Sequence, residues 1–174
     1  TKSKGIYDLL RAFDEVVKLH PEARLVVLGE VFQHAELVKH CQKSISRVIF
    51  TGLVSRDKLA EWYRIADVGV VPSFCEQCGY SGIEMMAMGV PVVASDAFGV
   101  RCMFKDGVNA IVAKIGNRTD DNIFPMHLSA GISKMLGLNY DEKVKMCNNA
   151  YRLFESRYSL EKMESGYTKL LKSI

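Results

Sequence analysis

Residues 67–96 read DVGVVPSFCEQCGYSGIEMMAMGVPVVASD. A short apolar, β-rich run ends at Pro72-Ser73, a glycine-bearing turn follows, a helical stretch comes next, and a second apolar run closes at Asp96. Strand, turn, helix and strand in that order, with continuous rather than alternating apolar strands, is the pattern of a buried parallel sheet. Inside the turn and helix, Glu76 and Glu84 stand eight residues apart. Spacing by itself decides nothing. The chain has eleven glutamates, so about one pair at this separation is expected by chance, and Glu22/Glu30 is another.

Outward from this segment the alternation continues. GIYDLLRAFDEVVKLHP (5–21) sets Ile6, Leu9, Leu10, Phe13, Val16 and Val17 on one helical face, and Pro21 stops it. ARLVVLG (23–29) reads as a strand, then a polar helix from Gln33 to about Lys43, then a strand in RVIFTG (47–52). Ser55 or Asp57 is placed to cap the next helix, DKLAEWYRIA (57–66). NAIVAKI (109–115) is a further strand, and GNRTDDN (116–122) is expected to be a mobile loop. From Pro125 onward the pattern is helical: MHLSAGISKMLGL, YDEKVKMCNNAYRLFESRY and SLEKMESGYTKLLKSI. The expected class is therefore α/β: a doubly wound parallel sheet, Rossmann-like, with a helical C-terminal segment.

Bulk numbers narrow the function. At 174 residues the chain can form one domain with a substantial core. A net charge of +3 with scattered basic residues gives no basis for a nucleic-acid partner. Five cysteines at irregular spacing (41, 75, 78, 102, 147) argue against a secreted disulfide framework and for a reducing compartment. No apolar run approaches the roughly 18 residues of a membrane span, and no signal peptide opens the sequence. The opening, TKSKGIYDLL, runs from a loop straight into a helix and is expected to belong to something longer.

In a doubly wound sheet, ligands bind beyond the carboxyl ends of the strands. The backbone N–H groups of residues 79–82 would be free donors at a helix N-terminus, suited to a phosphate or a sugar oxygen. Gly79 allows close backbone approach. Glu76 would lie at the strand mouth. Glu84, read as first-turn, could present its carboxylate to two adjacent hydroxyls. The competing reading is local: Ser81-Gly-Ile-Glu84 matches the capping-box pattern, and an acid in a first turn is favoured anyway. One carboxylate oxygen can cap while the other meets a ligand, so at this point both readings stand.

PSFCEQCGYSGIEMMAMGVPVVASD resembles the signature of the retaining family 4 glycosyltransferases of GT-B fold, in which a Pro-Ser strand end leads to Glu-x7-Glu and then to an Ala-x-Gly-x-Pro-Val-Val-Ala strand. SKGIYDLLRAF, FTGLVSRDKLAEWYRIADVGVVPS, FKDGVNAIVAKI and FESRYSLEKMESGYTKLL match in the same order, so the resemblance spans nearly the whole chain. It implies that residues 1–174 are a single nucleotide-sugar-binding domain, the carboxyl-terminal half of such an enzyme, without the acceptor-binding amino-terminal domain or the first strand. By the same resemblance, Glu84 binds the donor ribose and Glu76, the catalytic candidate, lies beside the donor sugar near its reacting carbon. Gly79, Tyr80 and Ser81 contact sugar hydroxyls and the diphosphate, Lys4 neutralises the diphosphate, and Val54 lines the base pocket. Two departures stand out. The arginine that usually precedes the lysine is not in the chain, and Cys78 occupies a position that is often apolar, which bears on sugar selectivity.

The implied activity is retaining transfer of a hexose from a nucleotide-diphospho-sugar to an acceptor glycan or lipid, with no cofactor and no metal required. UDP is the expected donor nucleotide because it is the commonest among such enzymes. The alternatives are a nucleotide-sugar epimerase of the same shape and a non-catalytic nucleotide-binding module. The implied setting is cytoplasmic polysaccharide or glycan assembly, with the full-length enzyme peripheral to the inner face of the plasma membrane; the fragment alone is expected to bind donor and transfer almost nothing. Other constellations take blander readings. Cys75-Glu-Gln-Cys78 lacks the second ligand pair a zinc site needs and is read as packing cysteines. His34 and His40 are read as solvated, and Trp62 and Tyr63 as core.

Overall fold

The computed structural model describes residues 2–30, 34–117 and 120–173. Among these residues five short parallel strands and seven α-helices follow in the expected order, strands and helices first and helices alone at the end: α1 (Ile6–Leu19), β1 (Leu25–Val27), α2 (His34–Val38), β2 (Val48–Phe50), α3 (Arg56–Ile65), β3 (Gly69–Val71), α4 (Tyr80–Ala87), β4 (Val92–Ser95), β5 (Ile111–Ala113), α5 (Ile123–Gly137), α6 (Tyr140–Arg157) and α7 (Leu160–Lys172).

β4 organises the core. It pairs in parallel with β3 on one side and β5 on the other, and all four of its residues are buried. Its alternation feeds two layers. Val93 points into a cluster with Leu9, Phe13 and Val16 of α1 and Leu128, Ile132 and Met135 of α5. Val92 and Ala94 point the other way, into a cluster with Met86 of α4, Val100, Phe104 and Ala150 of α6. β5 repeats the division: Ile111 and Ala113 join the first cluster, and Val112 packs on the second. Helices thus cover both faces, which is why these strands tolerate continuous apolar sequence.

The sheet is divided, however. Among the described residues β1 pairs only with β2, in the register Leu25↔Val48 to Val27↔Phe50, and this pair is not hydrogen-bonded to β3. Side-chain packing still joins the two parts, because Leu25 and Val48 pack on the same cluster as Val93 and Leu128.

Other differences from the sequence reading are local. The polar helix expected to reach about Lys43 ends at Val38 and gives way to turns. Its buried residue Leu37 meets Leu10 and Cys41 in a small third cluster, enough apolar surface to anchor one turn and a half but not three. Helix α5 starts at Ile123, so Pro125 lies inside its first turn, where a missing N–H has no intrahelical partner to lose. Arg118 and Thr119 of the expected mobile loop lie outside the described residues. Helix α7 has no buried residue, and Leu160, Met163, Tyr167, Leu170 and Leu171 lie exposed along it.

One close approach ties the start of the chain to the sheet. Gly5, the N-cap of α1, has φ 69°, and a Cβ there would stand 1.9 Å from the Pro72 carbonyl oxygen. The Phe74 amide donates to the Ser3 carbonyl at 2.9 Å beside it. Gly5→Ala is therefore expected to lose about 2 kcal/mol or more, from left-handed strain plus a backbone collision. Urea unfolding would measure it, and an unchanged midpoint would contradict the close approach.

Candidate functional site

The segment after β3 is held from two sides. On one, the Ser3–Phe74 bond and the Gly5 approach bring Lys4 over the strand end. On the other, Glu76 N–H donates to the Phe98 carbonyl at 3.0 Å, and Gly99 (φ 84°) lies so close that a Cβ would be 1.8 Å from the Glu76 carbonyl oxygen. Glu76 itself is buried. A buried carboxylate must be paired, and its Oε1 accepts from Lys4 Nζ at 2.7 Å and from Ser73 Oγ at 2.7 Å. Ser73 is in turn fixed by the fully buried Ser95, whose hydroxyl donates to the Ser73 carbonyl at 2.5 Å. Lys4 remains half exposed, a cation with one side toward solvent.

Helix α4 begins at the same spot. Gly79 is its N-cap and makes no side-chain capping bond. A Cβ on Gly79 would stand 2.7 Å from Met103 Cε, the movable end of that side chain, and 3.7 Å from Glu76 Cγ, ordinary contact, so the helix end packs directly beside the carboxylate. Gly82 is pressed against Phe104 in the same way. Among the described residues, the amides of Gly79, Ser81 and Gly82 meet no acceptor, whereas that of Tyr80 turns back to the Cys78 carbonyl at 2.9 Å. Tyr80 and Ser81 are exposed.

Two points of the sequence reading need correction here. Because Gly79 is the N-cap, Ser81 is the second helical residue and Glu84 the fifth; the first turn carries no acid. The capping box does not form, since a capping serine must precede the helix rather than sit inside it. Glu84 instead accepts, through Oε2, a hydrogen bond of 2.9 Å from the hydroxyl of Tyr63 on α3. Tyr63, expected as core, is buried but uses its polar end. Burial first, and then the Glu84 carboxylate, push its phenol well above the ordinary range, so it stays a proton donor at neutral pH.

The second correction concerns the cysteines. Cys75 and Cys78 are exposed, not packed, and so is Cys102. Among the described residues no group of three or more His, Cys, Asp or Glu is arranged to hold a metal ion. His40 packs edge-on against Tyr7 with ring centroids 4.8 Å apart. Val54 is half-buried in the loop between β2 and α3, whose N-cap is Ser55 rather than Asp57. Trp62 is half-buried.

Lys4 therefore reaches Glu76, Gly79 starts α4 beside that carboxylate, Glu84 stands about one turn further along α4, and Val54 lies in the loop before α3. The sequence reading missed Ser73, Ser95 and Tyr63. The i, i+3 spacing of Ser73 and Glu76 was a usable signal for the first; nothing in the sequence links Tyr63 to Glu84 or Ser95 to Ser73.

The profile of the family described as "Glycosyl transferases group 1" matches residues 1–123. The chain belongs to that family. An uncharacterised glycosyltransferase of Methanocaldococcus jannaschii is 32% identical over 161 residues, covering 91% of this chain and 39% of the relative. The chain thus spans about two fifths of the length of that relative. Among solved structures, a pneumococcal O-GlcNAc transferase in complex with UDP and GlcNAc superposes with a TM-score of 0.83 at 19% identity, over 99% of this chain and 34% of that one. The Anabaena protein HepE in complex with UDP-glucose superposes with a TM-score of 0.76 at 20% identity, over 100% of this chain and 46% of that one. These two likenesses establish the fold, the Rossmann-like arrangement found in the carboxyl-terminal domains of GT-B glycosyltransferases. No helix among the described residues is long and apolar enough to cross a membrane.

The thiols around the family motif offer a direct check on this surface. Burial pushes the Cys147 thiol up, and burial followed by the charge of Asp14 does the same for Cys41. Titration with a chromogenic disulfide at neutral pH should consume three thiols quickly, Cys75, Cys78 and Cys102, and the other two slowly or only on unfolding. Five equally fast thiols would contradict the placement.

Proposed function

We propose that these 174 residues are the donor-binding domain of a nucleotide-sugar-dependent, retaining hexosyltransferase, with a UDP-sugar as donor. The observation that carries the reading is the convergence of a half-exposed lysine, a buried carboxylate and an uncapped helix N-terminus at the carboxyl end of β3. That edge is where doubly wound sheets bind ligands, and free amides with a lysine beside them form a seat for a diphosphate.

In this reading the diphosphate lies between Lys4 and the amides of Gly79 and Ser81. Lys4 then has two competing anions, Glu76 and the diphosphate, and donor binding draws it partly away from the carboxylate. Glu84 grips the ribose hydroxyls, and Val54 lines the base pocket. Tyr80 and Ser81 border the sugar. Glu76 stands beside the sugar, held by Ser73 once Lys4 turns to the phosphates. With the leaving group occupying the same face, Glu76 is badly placed as a nucleophile, and catalysis falls to charge stabilisation of the departing diphosphate by Lys4 and the helix end. The acceptor oxygen bonds to the anomeric carbon on the face from which the diphosphate leaves, and the bond from that carbon to the diphosphate breaks. The acceptor's proton passes to the departing diphosphate oxygen, and the anomeric configuration is retained. No metal or cofactor takes part. The acceptor, a glycan or lipid, is held by parts of the enzyme outside these residues, so the domain alone binds donor without transferring it. The relatives that are glycosyltransferases and the structural neighbours solved with UDP or UDP-glucose support the donor class.

Isothermal calorimetry with UDP, GDP and ADP tests the reading, with the tightest binding expected for UDP; flat heats for all three would remove it. Glu84→Gln is expected to weaken the bound nucleotide by about 1–3 kcal/mol at unchanged melting temperature. A fallen melting temperature with intact affinity would instead assign Glu84 a purely structural role.

A further inference from the structure

We infer that Tyr63 is a positioning residue for the nucleotide ribose: its buried hydroxyl holds the exposed Glu84 carboxylate in the one rotamer that meets the ribose hydroxyls, and so sets the preference for ribo- over deoxynucleotides. The inference rests on the donor-binding reading given above.

Tyr63 is the buried residue of α3, 8% exposed, on a helix whose other side chains are half-buried or exposed. A phenol buried to that extent needs a partner for its O–H. Its acceptor is a carboxylate on a different helix, 21 residues on, whose own residue is exposed. The bond is directional. It occupies Oε2 and leaves Oε1 without a partner among the described residues. Glu84 has no helical duty that would explain the contact, because it lies beyond the first turn and caps nothing. Burial and the carboxylate together keep the phenol protonated, so it serves only as donor.

A free glutamate on a helix surface samples several rotamers, and a ligand that binds it must freeze them. Tyr63 freezes them beforehand, removing an ordering cost of the size usually associated with one flexible side chain, equivalent to roughly two- to tenfold in affinity. The bond also links the helices on either side of β3. The loop carrying Val54 runs directly into α3, so the bond ties the helix that follows this loop to the helix that carries Glu84. A ribose hydroxyl is recognised through a carboxylate whose position is set by the far helix.

The test compares UDP with 2′-deoxy-UDP by calorimetry on the wild-type chain, Tyr63→Phe, Glu84→Gln and the double variant. Tyr63→Phe keeps the ring and its packing and frees a carboxylate that solvent already reaches, so the chain is expected to fold with a near-normal melting temperature. UDP affinity should fall about two- to tenfold, affinity for 2′-deoxy-UDP, which offers Glu84 one hydroxyl instead of two, should fall by a clearly smaller factor, and the double variant should bind no more weakly than Glu84→Gln alone. If Glu84→Gln loses the ribose preference while Tyr63→Phe keeps it, the tyrosine is packing only and the inference falls, with the donor-binding reading intact. If Glu84→Gln also keeps the preference, or neither nucleotide binds, the ribose assignment itself fails and takes the inference with it.

Discussion

Glu76 is a carboxylate taken out of water at the mouth of a strand, and the rest of the site follows from the need to satisfy it. Its partners come from three separate places: Lys4 ahead of α1, Ser73 at the end of β3 and, through the backbone, Phe98 after β4. Ser73 is local, but neither Lys4 nor Phe98 would find Glu76 without backbone passing backbone at a distance that forbids a side chain. Gly5 against Pro72 and Gly99 against Glu76 are those crossings. A cation 72 residues away in sequence thus becomes a hydrogen-bond partner of Glu76.

The two layers around β4 explain why this knot can be rigid. Val93 facing one cluster, with Val92 and Ala94 facing the other, anchors the strand on both sides, and β3 hangs from it by parallel pairing. Ser95, at the end of β4 and fully buried, then reaches across to the Ser73 carbonyl. Core packing and site geometry are therefore one structure: the strand that carries the core also orients the serine that orients the carboxylate.

The electrostatics favour a site that holds its own charge balance before ligand arrives. Lys4 and Glu76 neutralise each other, yet the lysine keeps half its surface in solvent while the acid does not. An arriving dianion would find a cation already placed next to uncapped helix amides. Were Lys4 drawn away, Ser73 would still donate to Glu76. That division suits an anionic leaving group, which needs stabilising charge most at departure.

Much was legible in the chain by itself. Apolar runs such as GVV and VVAS are buried strands because no other element absorbs continuous β-branched sequence between glycine and proline, and the 3.6-residue stripes of α1 and α5 carry the packing face directly. The order strand, glycine turn, helix located Glu76, Gly79 and Glu84 at one sheet edge. What the sequence left open was decided by contacts between distant segments. The Ser81–Glu84 spacing is compatible with a cap, and only the placement of Gly79 at the N-cap moves Glu84 past the first turn. The length of α2 depended on how little apolar surface its neighbours offered. The division of the sheet depended on pairing between strands, which side-chain pattern does not encode. Tyr63 is the clearest case: a buried aromatic is predictable from periodicity, but the partner of its hydroxyl is not, because hydrogen-bond partners are chosen in three dimensions after the helices have docked.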